Sequence, residues 1–178
     1  MAEPLTRRSP LQRFASRFAA TPSTARISEE PFVSMVDVWV NPSGHAAVRT
    51  AAGADASVIW FGPQEVLVTS TVRAGEELEA ALRDVVTELG GAAVDVSAQR
   101  TTLRLTGARA RDVLAKGCSL DLHPAAFGLG VTAQTMLGQA AVVLIALAED
   151  GTDYRILVRS SFARHLADWL LDASGEYV

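Results

Sequence analysis

The sequence predicts an α+β fold in which two strand–helix modules share an antiparallel or mixed sheet, with helices on one face. One observation behind this is a series of period-two stretches, starting at Met35, in which apolar and polar residues alternate. Another is the helical spacing of Leu78, Leu82, Val85, Val86 and Leu89, and again of Phe162, Leu166, Trp169 and Leu170. The last is an internal echo. Gly62 to Val68 and Gly151 to Val158 both read glycine, turn, acid, strand, and both lead into a helix.

In chain order, residues 1–30 read as a basic N-terminal arm and 31–178 as a single α+β domain. Within the arm, Arg8-Ser9-Pro10-Leu11 precedes Phe14 and Phe18, which share a face at helical spacing. So short a segment has too little core to cover two phenylalanines, so they are expected to pack on the body or on a partner. Thr21-Pro22-Ser23 breaks any helix, and Glu29-Glu30-Pro31 marks where the body begins. Val36, Val38 and Val40 then fall on one face of a strand, with Met35, Asp37 and Trp39 on the other, and Asn41-Pro42-Ser43-Gly44 ends it. Residues 57–61 and 65–69 form a hairpin around Gly62-Pro63-Gln64. The helix that follows has Glu76 and Glu77 in its first turn, where the dipole favours acids, and stops at Gly90-Gly91. Residues 93–96 return as a strand.

The second half repeats these ingredients. Leu103 and Leu105 alternate with Thr102, Arg104 and Thr106, and Gly107 opens a short helix with Ala110, Val113 and Leu114 inward. Lys116-Gly117 closes that helix. Residues 131–137 alternate again, Gly138 turns, and 140–147 reads as an unbroken buried strand. Asp150-Gly151 turns into a strand over 154–159, and the last helix ends near Gly175.

Composition bounds the function. A chain of 178 residues can bury about 70% of its unfolded surface, so its core needs no disulfide or metal. Cys118 is the only cysteine, which excludes an internal disulfide and a thiolate-rich metal site and points to a reducing cytoplasm. No apolar run approaches the roughly 18 residues that would span a bilayer. The net charge of −4 hides an asymmetry. Residues 1–28 carry Arg7, Arg8, Arg13, Arg17 and Arg26 against Glu3 alone, which leaves a body of net −8. An acidic body argues against non-specific nucleic-acid binding, and the arm reads best as a docking segment rather than a solvated tail or targeting signal.

The candidate chemistry does not assemble. Gly128-Leu129-Gly130-Val131-Thr132-Ala133 fits a dinucleotide fingerprint in letters only, because it follows a Pro-containing loop and runs into a strand. Cys118, Asp121 and His123 cluster in one loop, with His45 and His165 distant in sequence. The expected reading is a buried thiol and loop hydrogen bonds rather than a metal site. A nucleophilic Cys118 paired with His123 is disfavoured too, since the thiol follows a helix end whose carbonyl dipoles do not favour a thiolate. His165 lies beside Asp168 and Asp172 on the face opposite Phe162 and Leu166, solvated or facing a partner. Catalytic, cofactor-binding and metal residues are therefore all expected to be none in this chain.

The segment from Val94 to Gln134 is the most distinctive. It holds Val94-Asp95-Val96-Ser97, Leu103, Leu105, Gly107, Ala110-Arg111 and Val113-Leu114. After these come Lys116-Gly117-Cys118-Ser119-Leu120-Asp121-Leu122-His123-Pro124, then Phe127 and Gly130. With Ser161-Phe162-Ala163 and Leu166-Ala167-Asp168-Trp169-Leu170, this resembles the gamma subunit family of heterotetrameric sarcosine oxidase. Arg8-Ser9-Pro10-Leu11 and Trp60-Phe61-Gly62-Pro63-Gln64-Glu65 resemble it too, with a looser match at Gln64 and Val66, where an acid and an aromatic are expected.

The resemblance implies a fold similar to part of the folate-binding aminomethyltransferase domain. It also implies a four-subunit flavoenzyme that oxidatively demethylates sarcosine to glycine. This chain would be a non-catalytic gamma subunit supporting assembly with alpha, beta and delta subunits in the cytoplasm, away from nucleic acid and membrane. FAD, FMN, NAD, tetrahydrofolate and zinc would lie in the partner subunits. The alternatives are a stand-alone folate-binding one-carbon transfer protein and an assembly factor. Interface candidates are Phe14, Phe18, Trp39, His123 and Phe127.

Overall fold

The computed structural model describes residues 7–177; residues 1–6, including Glu3 of the arm's charge balance, lie outside the described residues. The described residues form two compact units. One runs from Phe32 to Arg100; the other joins the residues up to Pro31 to those from Thr101 onward.

The middle unit is a βαββαβ chain: β2 (Ser34–Trp39), α2 (His45–Ala52), β3 (Ala56–Trp60), β4 (Glu65–Ser70), α3 (Gly75–Thr87) and β5 (Ala92–Asp95). The sheet order is β3-β4-β2-β5, and every neighbouring pair is antiparallel. Because β2 and β3 both oppose β4, they are parallel to each other with β4 inserted between them, which is a split βαβ arrangement. Alternation places Val36 and Val38 beside Val66 and Val68 on one face of this sheet. Val48 and Ala52 of α2 and Leu78, Leu82 and Val86 of α3 complete the core there. Glu76 and Glu77 stand in the first turn of α3. At its other end Gly91 N–H donates to Val86 C=O at 2.8 Å, and Gly90 adopts φ +72°, which stops the helix.

The other unit starts with a helical turn at 12–14 that runs into α1 (Ala15–Ala19), and then β1 (Arg26–Glu30). After the middle unit come β6 (Arg100–Thr106), α4 (Ala110–Ala115), β7 (Thr132–Leu137), β8 (Ala140–Ala146), β9 (Asp153–Arg159) and α5 (Ala163–Ser174). The order is β1-β6-β9-β8-β7. Within it β6, β8 and β9 repeat the arrangement of β2, β3 and β4, and α4 and α5 repeat α2 and α3 in chain order. The closing strand differs: beside β6 stands β1, from the start of the chain, where β5 stands beside β2. Leu103 and Leu105 of β6, Leu144 of β8, Ile156 and Val158 of β9, and Leu166 and Leu170 of α5 share one core with Leu11, Phe14 and Phe18. Lys116, just past α4, donates to Ala173 C=O at 2.5 Å and pairs with Glu176, which raises the ammonium pKa and lowers that of the carboxyl.

The expected α+β class and antiparallel pairing are present, as is the echo of β4 then α3 in β9 then α5. The shared sheet is corrected: each module has its own. The physical reason is closure. β5 and β1 each supply the strand that completes a separate helix-covered face, so two cores form instead of one. Two elements are additional to the sequence reading, α2 and β1.

Candidate functional site

The loop from Gly117 to Phe127 is built by its own polar atoms. Gly117 sits where an added Cβ would lie 2.5 Å from Trp169 and 2.8 Å from the Gly138 nitrogen, so the close approach requires glycine. Cys118 is half-buried, its N–H donates to Leu114 C=O at 2.9 Å, and it bridges Leu137 on β7. Asp121 Oδ1 accepts from His123 N–H at 2.9 Å, and His123 Nδ1 accepts from Ala125 N–H at 3.2 Å. His123 C=O accepts from both Ala126 and Phe127 N–H at 2.8 Å. This turn chemistry occupies Asp121 and His123 with backbone. Among the described residues no three His, Cys, Asp or Glu side chains gather where an ion could be held.

Phe127 is buried and stacks on Tyr154 with ring centroids 6.4 Å apart and planes at 29°. Burial pushes the Tyr154 phenol pKa upward, and its hydroxyl, enclosed with the ring, has no hydrogen-bond partner among the described residues. Phe14 and Phe18 lie 5.7 Å apart and are buried with Leu11, so of the body and a partner it is the body that covers them. The exposed side of that segment carries Arg17, whose guanidinium pairs with Asp168 on α5 at 2.5 Å and lies over the Phe14 ring. Of the five interface candidates, Trp39 and His123 remain exposed.

Trp39 is the exposed aromatic with the richest surroundings. It ends β2, opposite Glu65 of β4 and Ala92 of β5, with 51% of its surface open. Its indole N–H points to Asp37 Oδ2 at 3.4 Å. A shallow cleft of about 440 Å³ lies between Trp39, Pro42, Gly62, Pro63, Gln64 and Glu65. A second cleft of about 270 Å³ meets Trp39 and Gln64 from the side of Gly90 and Gly91. The walls are fixed: Gln64 Nε2 donates to Asn41 Oδ1 at 3.0 Å, and His45 Nε2 lies 3.0 Å from Pro63 C=O. His45 also packs on Trp60 at 4.1 Å between ring centroids. The half-open indole between two ordered clefts suits an anchor for another protein's side chains. Only Trp39 of this surface stood out in the sequence. Pro42, Pro63 and Gln64 read there as turn residues, and nothing in their spacing joins them to it.

The remaining histidine, His165, is exposed and meets the Phe162 ring edge-on at 6.4 Å. The chain has no helix among its described residues that is long and apolar enough to cross a membrane.

Comparison with known proteins adds four findings. A family model described as sarcosine oxidase, gamma subunit family, matches residues 30–176. A sarcosine oxidase subunit gamma from Corynebacterium sp. (strain P-1) is 34% identical over 189 residues, covering 96% of this chain and 91% of its own. A chain of the heterotetrameric sarcosine oxidase from Corynebacterium sp. U-96, solved with pyrrole 2-carboxylate, superposes with a TM-score of 0.86. It is 32% identical, and the match covers 96% of each chain. The glycine cleavage system aminomethyltransferase T from Bartonella henselae aligns with a TM-score of 0.61 over 88% of this chain and 48% of its own. At 15% identity that likeness is one of fold, and it is the fold similarity expected from the sequence.

Proposed function

This chain belongs to the sarcosine oxidase gamma subunit family, and on that premise we propose that it is the gamma subunit of a heterotetrameric sarcosine oxidase and acts by supporting assembly rather than by catalysis. The observation that carries the reading is the match over 96% of both chains to a component of a solved heterotetramer. Support at residue level comes from the loop after α4, where the Asp121 and His123 side chains build the turn and Cys118 is held through its backbone N–H. The partners are alpha, beta and delta subunits in the cytoplasm. FAD, FMN, NAD, tetrahydrofolate and zinc belong to those partners, which carry the oxidative demethylation of sarcosine to glycine.

In this reading Trp39 and the two clefts beside it are the principal contact with a larger subunit, and exposed His123 is a lesser one. The test is co-expression of the full chain with alpha, beta and delta, followed by size exclusion with subunit quantification, alongside the same expression without gamma. Co-elution at one copy per complex, with assembly lost on omission, is the expected result. A fully active three-subunit enzyme beside a free monomer of this chain would overturn it.

A further inference from the structure

We infer that the outward face of the N-terminal segment, joined to the start of α5, is a docking surface for an acidic stretch of a partner subunit. The inference rests on the subunit reading above and adds a second contact with its own chemistry. A cleft of about 710 Å³ is lined by Arg8, Ser9, Pro10, Gln12, Arg13 and Arg164. Three of these side chains are cationic and none is a carboxylate. Arg8, Arg13 and Arg164 are exposed and make no ion pair with any described residue. Five other arginines do meet a carboxylate: Arg17 with Asp168, Arg83 with Glu79, Arg109 with Asp112, and Arg104 and Arg155 with Glu30. What sets Arg8, Arg13 and Arg164 apart is that they line one cleft together.

The cations stand on an ordered base. Leu11 is wholly buried, its N–H donates to Ser9 Oγ at 3.0 Å, and the Ser9 hydroxyl donates to Glu29. Pro10 stiffens the backbone between them. Little conformational freedom of the backbone remains to be lost on binding. Arg164 adds a second indication. It occupies the first turn of α5, where a cation opposes the helix dipole and does nothing for the helix. An anion arriving there meets three guanidinium forks and the dipole together.

The occupant is argued from charge and openness. Three exposed guanidinium groups around an open cleft hold a small anion poorly against water. An extended segment bearing several carboxylates engages them at once. A second copy of this chain would bring the same three cations to any symmetric contact and repel them.

The experiment is co-expression of the full chain with its partner subunits and size exclusion at increasing sodium chloride. Wild type and the triple variant Arg8→Glu, Arg13→Glu, Arg164→Glu are compared. Wild type is expected to be retained, with retention falling as salt rises. The triple reversal is expected to lower apparent affinity by about tenfold or more. The melting temperature of the free chain is expected to be unchanged or slightly raised, because none of the three loses an ion pair to a described residue and an acid in the first turn of α5 suits the helix dipole. The triple Arg→Gln variant gives a smaller loss and serves if the reversal misfolds. Retention of both triple variants equal to wild type at every salt would overturn this inference and leave the subunit reading intact. So would an arginine-dependent dimer of the chain alone, or stabilisation by millimolar inorganic phosphate with retention unchanged in the variants. Wild type absent from the complex would sink the subunit reading and this inference with it.

Discussion

Glu30 and Arg155, separated by 125 positions in the chain, meet in a two-pronged pair: Nε donates to Oε2 at 2.5 Å and Nη2 to Oε1 at 3.1 Å. Arg104 joins from β6, donating to Glu30 Oε1 at 3.3 Å and to both Asp153 oxygens at 2.9 and 2.6 Å. The bonds to Asp153 chiefly, against some desolvation, raise the Arg104 pKa, so its charge is fixed at any working pH. One carboxylate at the end of β1 thus ties the first strand to β6 and β9. Glu30→Gln keeps the shape but removes the charge from both arginines. It is expected to destabilise the free chain by about 1–3 kcal/mol, read as a lowered urea midpoint.

The turn after β6 is constrained more tightly. Gly107 has φ +118°, and a Cβ there would stand 2.4 Å from the carbonyl oxygen of Thr24, which also accepts the Arg109 N–H. Both contacts are to backbone that rotamer changes cannot relieve. Gly107→Ala is expected to cost about 3 kcal/mol or more, combining left-handed strain with displacement of the N-terminal segment. Thermal unfolding and the soluble yield of the free chain check this.

Two aromatic substitutions separate packing from docking. Phe18→Ala empties a core position and is expected to destabilise the chain alone by about 3–5 kcal/mol. Trp39→Ala removes a half-exposed ring at a strand end, and the free chain's stability is expected to change by only about 0.5 kcal/mol. The same Trp39→Ala chain should fail to co-elute with the partner subunits. A Trp39→Ala chain that assembles like wild type would count against the clefts around it as an interface.

Tyr154 predicts a pH dependence. Burial raises its folded-state pKa above the ordinary phenol value of 10.0. The unfolded chain therefore ionises first. This contribution to stability is fully present below pH 10 and is lost as pH rises toward the folded-state pKa. Tyr154→Phe keeps the stack on Phe127 and removes a hydroxyl that has no partner among the described residues. It is expected to be stable to within about 1 kcal/mol of wild type or better at pH 7. Its advantage should widen above pH 10, measured as melting temperature from pH 7 to 11.

How much of this was legible in the sequence depends on how strongly each segment alternates. β2, β4, β8, β9, α3 and α5 follow their apolar patterns to within a residue or two, because their apolar residues are buried, on one stripe in the helices and on both faces in β4 and β8. By contrast α2 reads His-Ala-Ala-Val-Arg-Thr-Ala-Ala, with Val48 and Ala52 as its buried residues, and alanine carries little periodic signal. Strand β1 has a single fully buried side chain, Ile27, and its outer residues Glu29 and Glu30 look like the end of a tail. What secures β1 is pairing with β6 over Arg26–Glu30, and no local pattern reports a pairing partner. Of the surface, Trp39 was visible as an outward aromatic. The clefts around it join three segments distant in sequence, 39–42, 62–65 and 90–92, and Arg164 meets Arg8 and Arg13 only in space.

By itself the sequence determined the α+β class, the repeated strand–helix modules and the family, since these lie in local periodicity and in contiguous motifs such as residues 116–124. The tertiary structure decided that the modules form two sheets, that Phe14, Phe18 and Phe127 turn inward, and that the N-terminal segment closes the later module. The reason is that burial and strand pairing are settled by long-range competition for the same apolar faces and the same unpaired N–H and C=O groups. A side chain's local spacing gives its face, and what covers that face is fixed by whichever distant segment arrives there.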